Sequence, residues 1–281
     1  MKLSTVAVDG RTTWGIVEGE AFFDVGAVLK DRYADMKAAV AGGFDGVAAA
    51  KDSARTVATA ELTWLPVIPN PGKILCVGLN YETHRKETGR SEVDNPTIFA
   101  RYANSQTGHL RPIVRPKVST DLDYEGELAV IIGKPGRYID RAEAMAHVAG
   151  YAVYNDGSIR DFQRHTHQFT PGKNFPDTGA FGPWMMTPDE LGELGPKTIR
   201  TRLNGETVQE ATFDQMIFDI ARQIEYCSSF TRLEAGDVIA SGTPGGVGAK
   251  RNPPLWMKPG DVVEVEIDGL GILRNPIEQE A

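Results

Sequence analysis

Ten residues from Asp123 to Ile132 read DYEGELAVII, and they place two acidic side chains directly before an apolar run that is typical of a buried strand. Side chains two residues apart in a strand point to the same face, so Glu125 and Glu127 are predicted to project together. Neighbouring carboxylates repel each other, whereas a hard divalent ion such as Mg²⁺, Mn²⁺ or Ca²⁺ between them would be bound by their oxygens. An edge strand with Glu on a solvated face shows the same alternation, so this segment alone leaves both interpretations open.

A third acidic residue, Asp156, follows the strand-like stretch 151–155 and is a candidate to complete an oxygen-rich triad with Glu125 and Glu127. An Asp at the end of a strand also serves as a helix N-cap or turn residue, which is the commoner role. Beyond Asp156 the chain contains three side chains that can bind a carboxylate and support an enolate oxygen, which are Arg160, Gln163 and Lys173. The two cations among them supply the local positive charge that an anionic substrate needs on a chain of net charge −8.

The segment GLNYETHRKE, residues 78–87, contains a His and a Glu three positions apart. If the segment is helical, His84 and Glu87 lie on one face and can form a hydrogen bond. An imidazole that is oriented by a carboxylate is a good general base for water or for a proton next to a carbonyl. Polar loops also contain such pairs without any function, so this pair gains meaning only beside other functional residues.

The segment SGTPGGVG, residues 241–248, follows a predicted strand at 238–240 and contains four glycines. Glycines allow a backbone to approach a ligand closely, and Thr243 offers a hydroxyl and an N–H. The segment differs from the phosphate-binding pattern GxxxxGK[ST], so it does not indicate nucleotide binding. A simple turn is the alternative interpretation.

The remaining patterns predict a protein that is mainly β with few helices, an α+β protein. Asn204-Gly205 separates two predicted strands, 198–203 and 206–211, and is a strong hairpin signal. One amphipathic helix is predicted, with Asp214 as its cap and apolar residues at helical spacing over 217–227. The prolines at 66, 69 and 71 mark a boundary between a small β-rich N-terminal domain, residues 1–65, and a larger domain, residues 66–281.

Composition excludes several classes of protein. The net charge of −8 over 281 residues gives no basic surface for nucleic acid or for an anionic membrane. No apolar run approaches the roughly 20 residues that span a bilayer, and the N-terminus lacks a signal-peptide pattern. Two distant cysteines, Cys76 and Cys227, fit a reducing compartment. A soluble cytoplasmic protein is expected.

Taken together and in this order, five segments resemble those of the fumarylacetoacetate hydrolase family, from about Lys73 to the C-terminus. They are residues 78–87 beside the family's GxNYxxHxxE, 123–133 beside YExELxxVIG, 154–163 beside NDxSxRDxQ, 171–184 beside KxFDTxxPxGP, and 241–248 beside SGTPxGVG. The resemblance implies a C-terminal domain with the mixed β-roll of this family, behind the small N-terminal β-rich domain, and a homodimer or higher homo-oligomer.

The resemblance also implies a role for each matching residue. Glu125, Glu127 and Asp156 match metal ligands, normally for Mg²⁺ or Mn²⁺ and sometimes for Ca²⁺. His84 and Glu87 match the pair that activates water, and Lys173 matches a catalytic residue. The residues that match substrate-binding positions are Arg160, Gln163, Thr243 and Tyr81.

Two segments depart from the family pattern. Pro176 stands where the motif has Asp, so Asp177 comes one position late, and Phe181 replaces the residue before Gly182-Pro183. Residues 99–102, which include Arg101, stand where many members have a Lys-Pro pair. Both segments are expected to border the substrate cavity, so they bear on substrate identity.

The implied function is metal-dependent hydrolysis of a C–C bond in a 1,3-diketo acid, with an enolate as the leaving group. The substrate would be of the acylpyruvate type or of the fumarylacetoacetate or fumarylpyruvate type. A decarboxylase of 2-oxo acids such as oxaloacetate, or an isomerase of the 2-hydroxymuconate type, are alternatives within the family. A non-catalytic Ca²⁺-binding structural protein is an alternative from another class, but it leaves His84, Lys173 and Thr243 without a task.

Overall fold

The N-terminal residues form the first strands of a large sheet together with three short helices. The computed structural model describes residues 1–281. Its first elements are β1 (Lys2–Val8), β2 (Arg11–Glu18), β3 (Ala21–Phe23), α1 (Val25–Val28), α2 (Met36–Ala41), α3 (Val47–Ala50), β4 (Thr56–Ala58) and β5 (Thr63–Trp64). The β1–β2 turn, Asp9-Gly10, has positive φ at both residues, 49° and 76°, as the tightest hairpin turns require.

The rest of the chain is mostly strands joined by short helices. The elements are β6 (Ile74–Gly78), α4 (Glu82–Thr88), β7 (Thr97–Arg101), β8 (Gln106–Thr107), β9 (Ile113–Arg115), β10 (Leu122–Asp123), β11 (Gly126–Ile132), β12 (Val148–Asn155), β13 (Ser158–Ile159), α5 (Arg160–Gln163), α6 (Thr170–Lys173), β14 (Gly179–Met186), α7 (Pro188–Leu191), β15 (Thr198–Leu203), β16 (Glu206–Thr212), α8 (Ile220–Phe230), β17 (Val238–Ala240), β18 (Val262–Ile267) and β19 (Gly271–Gln279). Short 3₁₀ turns lie at Lys51–Ser53, Thr59–Glu61, Ala103–Ser105, Arg141–His147, Phe213–Gln215 and Gly248–Lys250.

Two sheets and one short strand pair hold these elements together. The larger sheet has the order β4-β3-β2-β1-β14-β12-β11-β17-β6-β7, with β5 beside β1 and β8 beside β14. The smaller sheet has the order β16-β15-β18-β19-β9, and β10 pairs with β13. The protein is therefore mainly β with few helices, as predicted. Because β1 pairs with β14, the sheet continues across the proline-marked boundary, and the division into domains 1–65 and 66–281 stays a prediction.

Strand β11 is buried on both faces. Leu128 and Val130 belong to a core of 34 buried residues that is shared with the smaller sheet, including Val265. Ala129 and Ile131 face a second core of 23 residues that includes Met36 of α2. A strand between two cores needs apolar side chains on both sides, which explains the uninterrupted run and excludes the solvated edge strand.

The hairpin prediction is confirmed and the helix prediction needs one correction. β15 and β16 are joined at Asn204-Gly205. The amphipathic helix is α8, but its N-cap is Asp219, whose side chain accepts a hydrogen bond from the Arg222 N–H, and not Asp214. Asp214 lies in a preceding 3₁₀ turn, so the apolar spacing extended the predicted helix by about one turn too many. None of the helices has the length and apolar character needed to cross a membrane.

Candidate active site

The candidate site lies where the C-terminal ends of β6, β12 and β17 meet the N-terminal end of β11. Gly126 pairs with Asn155 across β11 and β12, and this register brings Glu125 beside Asp156. Glu127 follows on β11. Each of the three acidic side chains offers an oxygen within 4.8 Å of the other two, and all three are buried. The three predicted ligands therefore converge in a geometry that a hard divalent cation can use.

Lys173 and Arg101 hold two of these carboxylates from one side. Lys173 Nζ lies 2.6 Å from both Glu125 Oε2 and Asp156 Oδ2. Arg101 Nη1 lies 2.6 Å from Asp156 Oδ1 and donates to the Gly157 carbonyl at 3.0 Å. Since all these side chains are buried, the ion pairs act in a medium that screens them weakly. Asp156 is thereby fixed by a cation on each of its oxygens.

Arg160 holds Glu125 from the other side. Its Nη2 lies 2.7 Å from Glu125 Oε1, its Nε donates to Asp123 Oδ2 at 2.8 Å, and its Nη1 donates to Gln163 Oε1 at 2.9 Å. Burial acts to raise the pKa of Glu125, but the charges of Arg160 and Lys173 outweigh burial and leave this pKa below its usual range. Glu125 is therefore ionised at neutral pH.

Glu127 is the member of the triad without a cationic partner. Its carboxylate accepts one hydrogen bond, from the Gly242 N–H at 3.0 Å. Burial, together with repulsion from Asp156 and Glu125, raises the pKa of Glu127 well above its usual range. A buried carboxylate with free lone pairs is what a bound cation would neutralise, so the residues present fit a divalent metal ion.

The net charge of the buried cluster also fits a divalent cation together with one substrate carboxylate. With all groups ionised, as a metal site requires, four buried carboxylates face three buried cations and leave a net charge of −1; they are Asp123, Glu125, Glu127 and Asp156 against Arg101, Arg160 and Lys173. A divalent ion changes this charge to +1. One substrate carboxylate then makes the buried cluster neutral, which removes the penalty for uncompensated buried charge.

His84 lies at the same cavity on helix α4. Its Nδ1 is 2.7 Å from Glu87 Oε1, which confirms the predicted contact between these two side chains. Glu87 Oε2 accepts a hydrogen bond from the Gly246 N–H at 2.9 Å. With Nδ1–H donated to Glu87, Nε2 carries the free lone pair of a base. The same carboxylate thus orients the imidazole and holds α4 on the glycine-rich loop.

The glycine-rich loop needs its glycines for packing. A Cβ on Gly242, where φ is +101°, would lie 2.5 Å from Asn80 Cβ and 2.9 Å from the Val77 carbonyl oxygen. A Cβ on Gly246, where φ is +103°, would lie 2.3 Å from the Val208 carbonyl oxygen. The loop is therefore pressed against backbone on two sides, and this close packing places the Gly242 N–H against Glu127.

Gly242→Ala is expected to lower the free energy of unfolding by about 2 kcal/mol or more, because strain at positive φ adds to a clash with backbone. Chemical denaturation measures this value. Gly260→Ala is the matched control, since Gly260 has φ +94° and open space around a Cβ; it should lose only about 1 kcal/mol. Equal losses in the two variants would show that the loop is not tightly packed.

A cavity of about 1030 Å³ opens above the triad. Its inner end holds the acidic triad with Lys173 and Arg160, and Phe99 and Phe169 form an apolar part of its wall, with ring centres 5.6 Å apart. The exposed cations that line it are Arg90, Arg164 and Lys250, and none of the three has an acidic partner. The cavity therefore changes from acidic at its buried end to basic among its exposed residues.

The predicted substrate-binding residues differ in their placement. Gln163 and Thr243 line the cavity, but the Thr243 hydroxyl already donates to the Gly126 carbonyl and accepts from Gln209 Nε2. Tyr81 lies outside the cavity lining, and its buried hydroxyl has no hydrogen-bond partner. Lys173 Nζ is bound by Glu125 and Asp156. The roles of these residues toward a substrate stay predictions.

Two residues of the site were not among the predicted ones. Arg101 was noted only as a departure from the family's Lys-Pro pair, and it is the cation on Asp156 Oδ1. Asp123 is fully buried and binds Arg160. A signal for Asp123 was present, because Asp123, Glu125 and Glu127 alternate along the chain. No sequence pattern indicates that Arg101 reaches Asp156, since the two residues meet only in the folded chain.

Comparisons with known proteins match most of the chain to one family. Residues 73–278 match the family model described as fumarylacetoacetate (FAA) hydrolase C-terminal. The human protein named oxaloacetate tautomerase FAHD2A, mitochondrial, is 41% identical over 220 residues, which are 78% of this chain and 70% of that protein. The solved structure of fumarylacetoacetate hydrolase from Exiguobacterium antarcticum is 34% identical, with a TM-score of 0.87 and full coverage of both chains.

A third protein has another activity in its name. The solved structure of 5-carboxymethyl-2-hydroxymuconate delta-isomerase from Mycobacterium smegmatis is 26% identical, with a TM-score of 0.80 and full coverage of both chains. Relatives named as hydrolase, isomerase and tautomerase thus share one fold with this chain. With its buried acidic triad, its His–Glu pair and a family match over most of its length, the chain belongs to the fumarylacetoacetate hydrolase family.

Proposed function

We propose that the protein catalyses a proton shift between the keto and enol forms of a short 2-keto diacid of the oxaloacetate type. The observation that carries the proposal is a Glu-oriented imidazole, His84, in the same cavity as the buried triad of Glu125, Glu127 and Asp156. Relatives about 40% identical to the chain are named oxaloacetate tautomerases. These names support oxaloacetate as the kind of substrate, and they support tautomerisation over the C–C hydrolysis that the sequence placed first.

The triad would hold a divalent ion, Mg²⁺ or Mn²⁺, which as a Lewis acid would polarise the 2-keto group and acidify the neighbouring C–H. Arg160 lines the cavity and carries a positive charge that can bind the substrate carboxylate. His84 Nε2 removes a proton from the carbon next to the keto group. The enolate oxygen takes up a proton from solvent to become the enol hydroxyl, and the imidazolium releases its proton to solvent. On the reverse path the imidazolium gives a proton to the carbon. Glu87 stabilises the imidazolium that forms. Apart from the shift of the double bond from C=O to C=C, only bonds to hydrogen are made or broken.

Stopped-flow absorbance of the oxaloacetate enol tests this proposal. The enzyme with Mn²⁺ should speed the approach to the keto–enol equilibrium beyond the rate with free Mn²⁺ alone, and EDTA should remove the effect. Deuterium exchange at C3 in D₂O should accelerate equally. Carbon dioxide release at a matching rate would instead indicate a decarboxylase, and no acceleration of either process would contradict the proposal.

The size and charge of the cavity favour a second candidate, which is hydrolysis of a longer acylpyruvate. A cavity of about 1030 Å³ is far larger than a four-carbon diacid needs, and Arg90, Arg164 and Lys250 can face a distal carboxylate. In this reaction His84 takes a proton from water, and the hydroxide attacks the distal carbonyl. The C–C bond breaks to give a carboxylic acid and a pyruvate enolate, which takes up a proton to become pyruvate.

Succinylpyruvate and butyrylpyruvate distinguish these candidates, because they have the same carbon chain and differ only in a terminal carboxylate. If the second candidate is correct, both are cleaved to pyruvate and succinylpyruvate has the lower KM. Arg164→Gln should then raise the KM for succinylpyruvate alone, by about two- to fivefold for an exposed charge pair. Lactate dehydrogenase measures the pyruvate formed. If neither compound yields pyruvate, hydrolysis of acylpyruvates is excluded.

A further inference from the structure

We infer that Asp123 is a positioning residue, which holds Arg160 and the loop at residues 248–249 in the arrangement that binds a substrate carboxylate. The inference rests on the proposed function for the kind of ligand, a 2-keto acid. It assigns a role to a residue that neither touches the substrate nor belongs to the acidic triad.

The Asp123 carboxylate is fully buried and accepts four hydrogen bonds. Its Oδ1 accepts from the N–H groups of Tyr124 at 2.9 Å and Gly248 at 2.8 Å. Its Oδ2 accepts from the Ala249 N–H at 3.0 Å and from Arg160 Nε at 2.8 Å. One charged group therefore joins the strand that leads to Glu125, the end of the glycine-rich loop and the cation at the cavity.

Arg160 needs this partner for a definite orientation. Its other contacts are Glu125, which a bound cation would also attract, and the neutral side chain of Gln163. Asp123 does not line the cavity, so its charge stays on Arg160 whatever the cavity contains. With Nε fixed on Asp123, the two terminal nitrogens of the guanidinium point away from Asp123, toward Glu125 and Gln163.

The loop depends on the same carboxylate. A Cβ on Gly248 would lie 1.9 Å from the Leu255 carbonyl oxygen and 2.7 Å from Asp123 Oδ1, so this position tolerates only glycine. Ala249, whose N–H binds Asp123, lines the cavity. Loss of the Asp123 charge should therefore loosen Arg160 and the cavity-lining Ala249 together, and substrate binding should suffer more than metal binding.

Calorimetric titration of the Mn²⁺-loaded protein with oxalate, a small analogue of a 2-keto acid, tests this inference without turnover. Asp123→Asn keeps the side-chain shape but removes the charge and turns an amide donor toward two N–H donors, either those of Arg160 Nε and Ala249 or those of Tyr124 and Gly248. Oxalate binding should weaken by about tenfold or more, as for the loss of a hydrogen bond to a charged group, and Mn²⁺ affinity should stay the same. With the proposed activity, KM should rise more than kcat falls.

Asp237→Asn is the matched control. Asp237 is buried, lies 2.5 Å from Lys73 Nζ and accepts from two backbone N–H groups outside the cavity. It should lower the unfolding temperature but leave oxalate affinity unchanged. If Asp123→Asn fails to fold, Asp123→Glu keeps the charge but moves it by one methylene, and oxalate binding should again fall while Mn²⁺ binding persists.

A double-mutant cycle shows whether Asp123 acts through Arg160. Once Arg160→Gln has removed the cation, adding Asp123→Asn should change oxalate affinity little further. Wild-type oxalate affinity in Asp123→Asn, or fully additive effects in the cycle, would overturn the inference. A wild-type protein that binds Mn²⁺ but no oxalate would overturn the proposed function and, with it, the inference. The two failures are distinguishable, because the first appears only in the variants and the second appears already in the wild type.

Discussion

Glu127→Gln is expected to abolish divalent-metal binding and turnover, while the metal-free variant is as stable as the wild type or more stable. Gln keeps the shape of the side chain and an acceptor for the Gly242 N–H, which lies 3.0 Å from the Glu127 carboxylate. The substitution removes a buried carboxyl group that has no cationic partner, and burial has raised the pKa of this group. Relief of such a charge stabilises a fold, whereas loss of a ligand oxygen removes the metal.

Thermal unfolding with Mn²⁺ and with EDTA measures both effects. Metal at about 100 times its Kd should stabilise the wild type by about 2.7 kcal/mol, and it should not stabilise Glu127→Gln. Glu125→Gln is the informative comparison, because it leaves Arg160 and Lys173 with one less counter-charge and should destabilise the metal-free protein as well. A normal Mn²⁺ response in Glu127→Gln would show that the triad is not the metal site.

The sequence was informative wherever function depends on short-range spacing. Glu125, directly before β11, and Glu127, within it, converge as the alternation of an extended chain predicts. His84 contacts Glu87 because helix α4 places residues three apart together. Asn204-Gly205 dictated a hairpin for local reasons too. Such patterns need no knowledge of the tertiary fold, which is why they could be recognised from the printed residues.

The long-range parts of the site could not be derived in this way. Arg101 reaches Asp156 across 55 positions of the chain, and Asp123 reaches the Gly248 N–H across 125. Only the tertiary fold brings these groups together, and hydrophobic periodicity does not encode it. Asp214 illustrates a smaller limit, since an apolar repeat cannot distinguish the last turn before a helix from the helix itself.

The His84–Glu87 pair leads to the second large prediction. His84→Ala is expected to lower kcat by about 10²- to 10⁴-fold, the range typical for loss of a general base, and to leave Mn²⁺ affinity unchanged. The reason is geometric, because the His84 side chain lines the cavity but is not part of the acidic triad. Glu87→Gln keeps the imidazole but loses its carboxylate partner at 2.7 Å, so its effect should be smaller.

Proton exchange separates this role from a structural one. In His84→Ala, exchange of the C3 protons of oxaloacetate with D₂O should fall in proportion to kcat, since both need the same proton transfer. His147→Gln is the control, because His147 is also buried, binds the Lys134 carbonyl at 2.7 Å and lies outside the cavity lining; it should affect stability only. Exchange at the wild-type rate in His84→Ala would assign proton removal to another group.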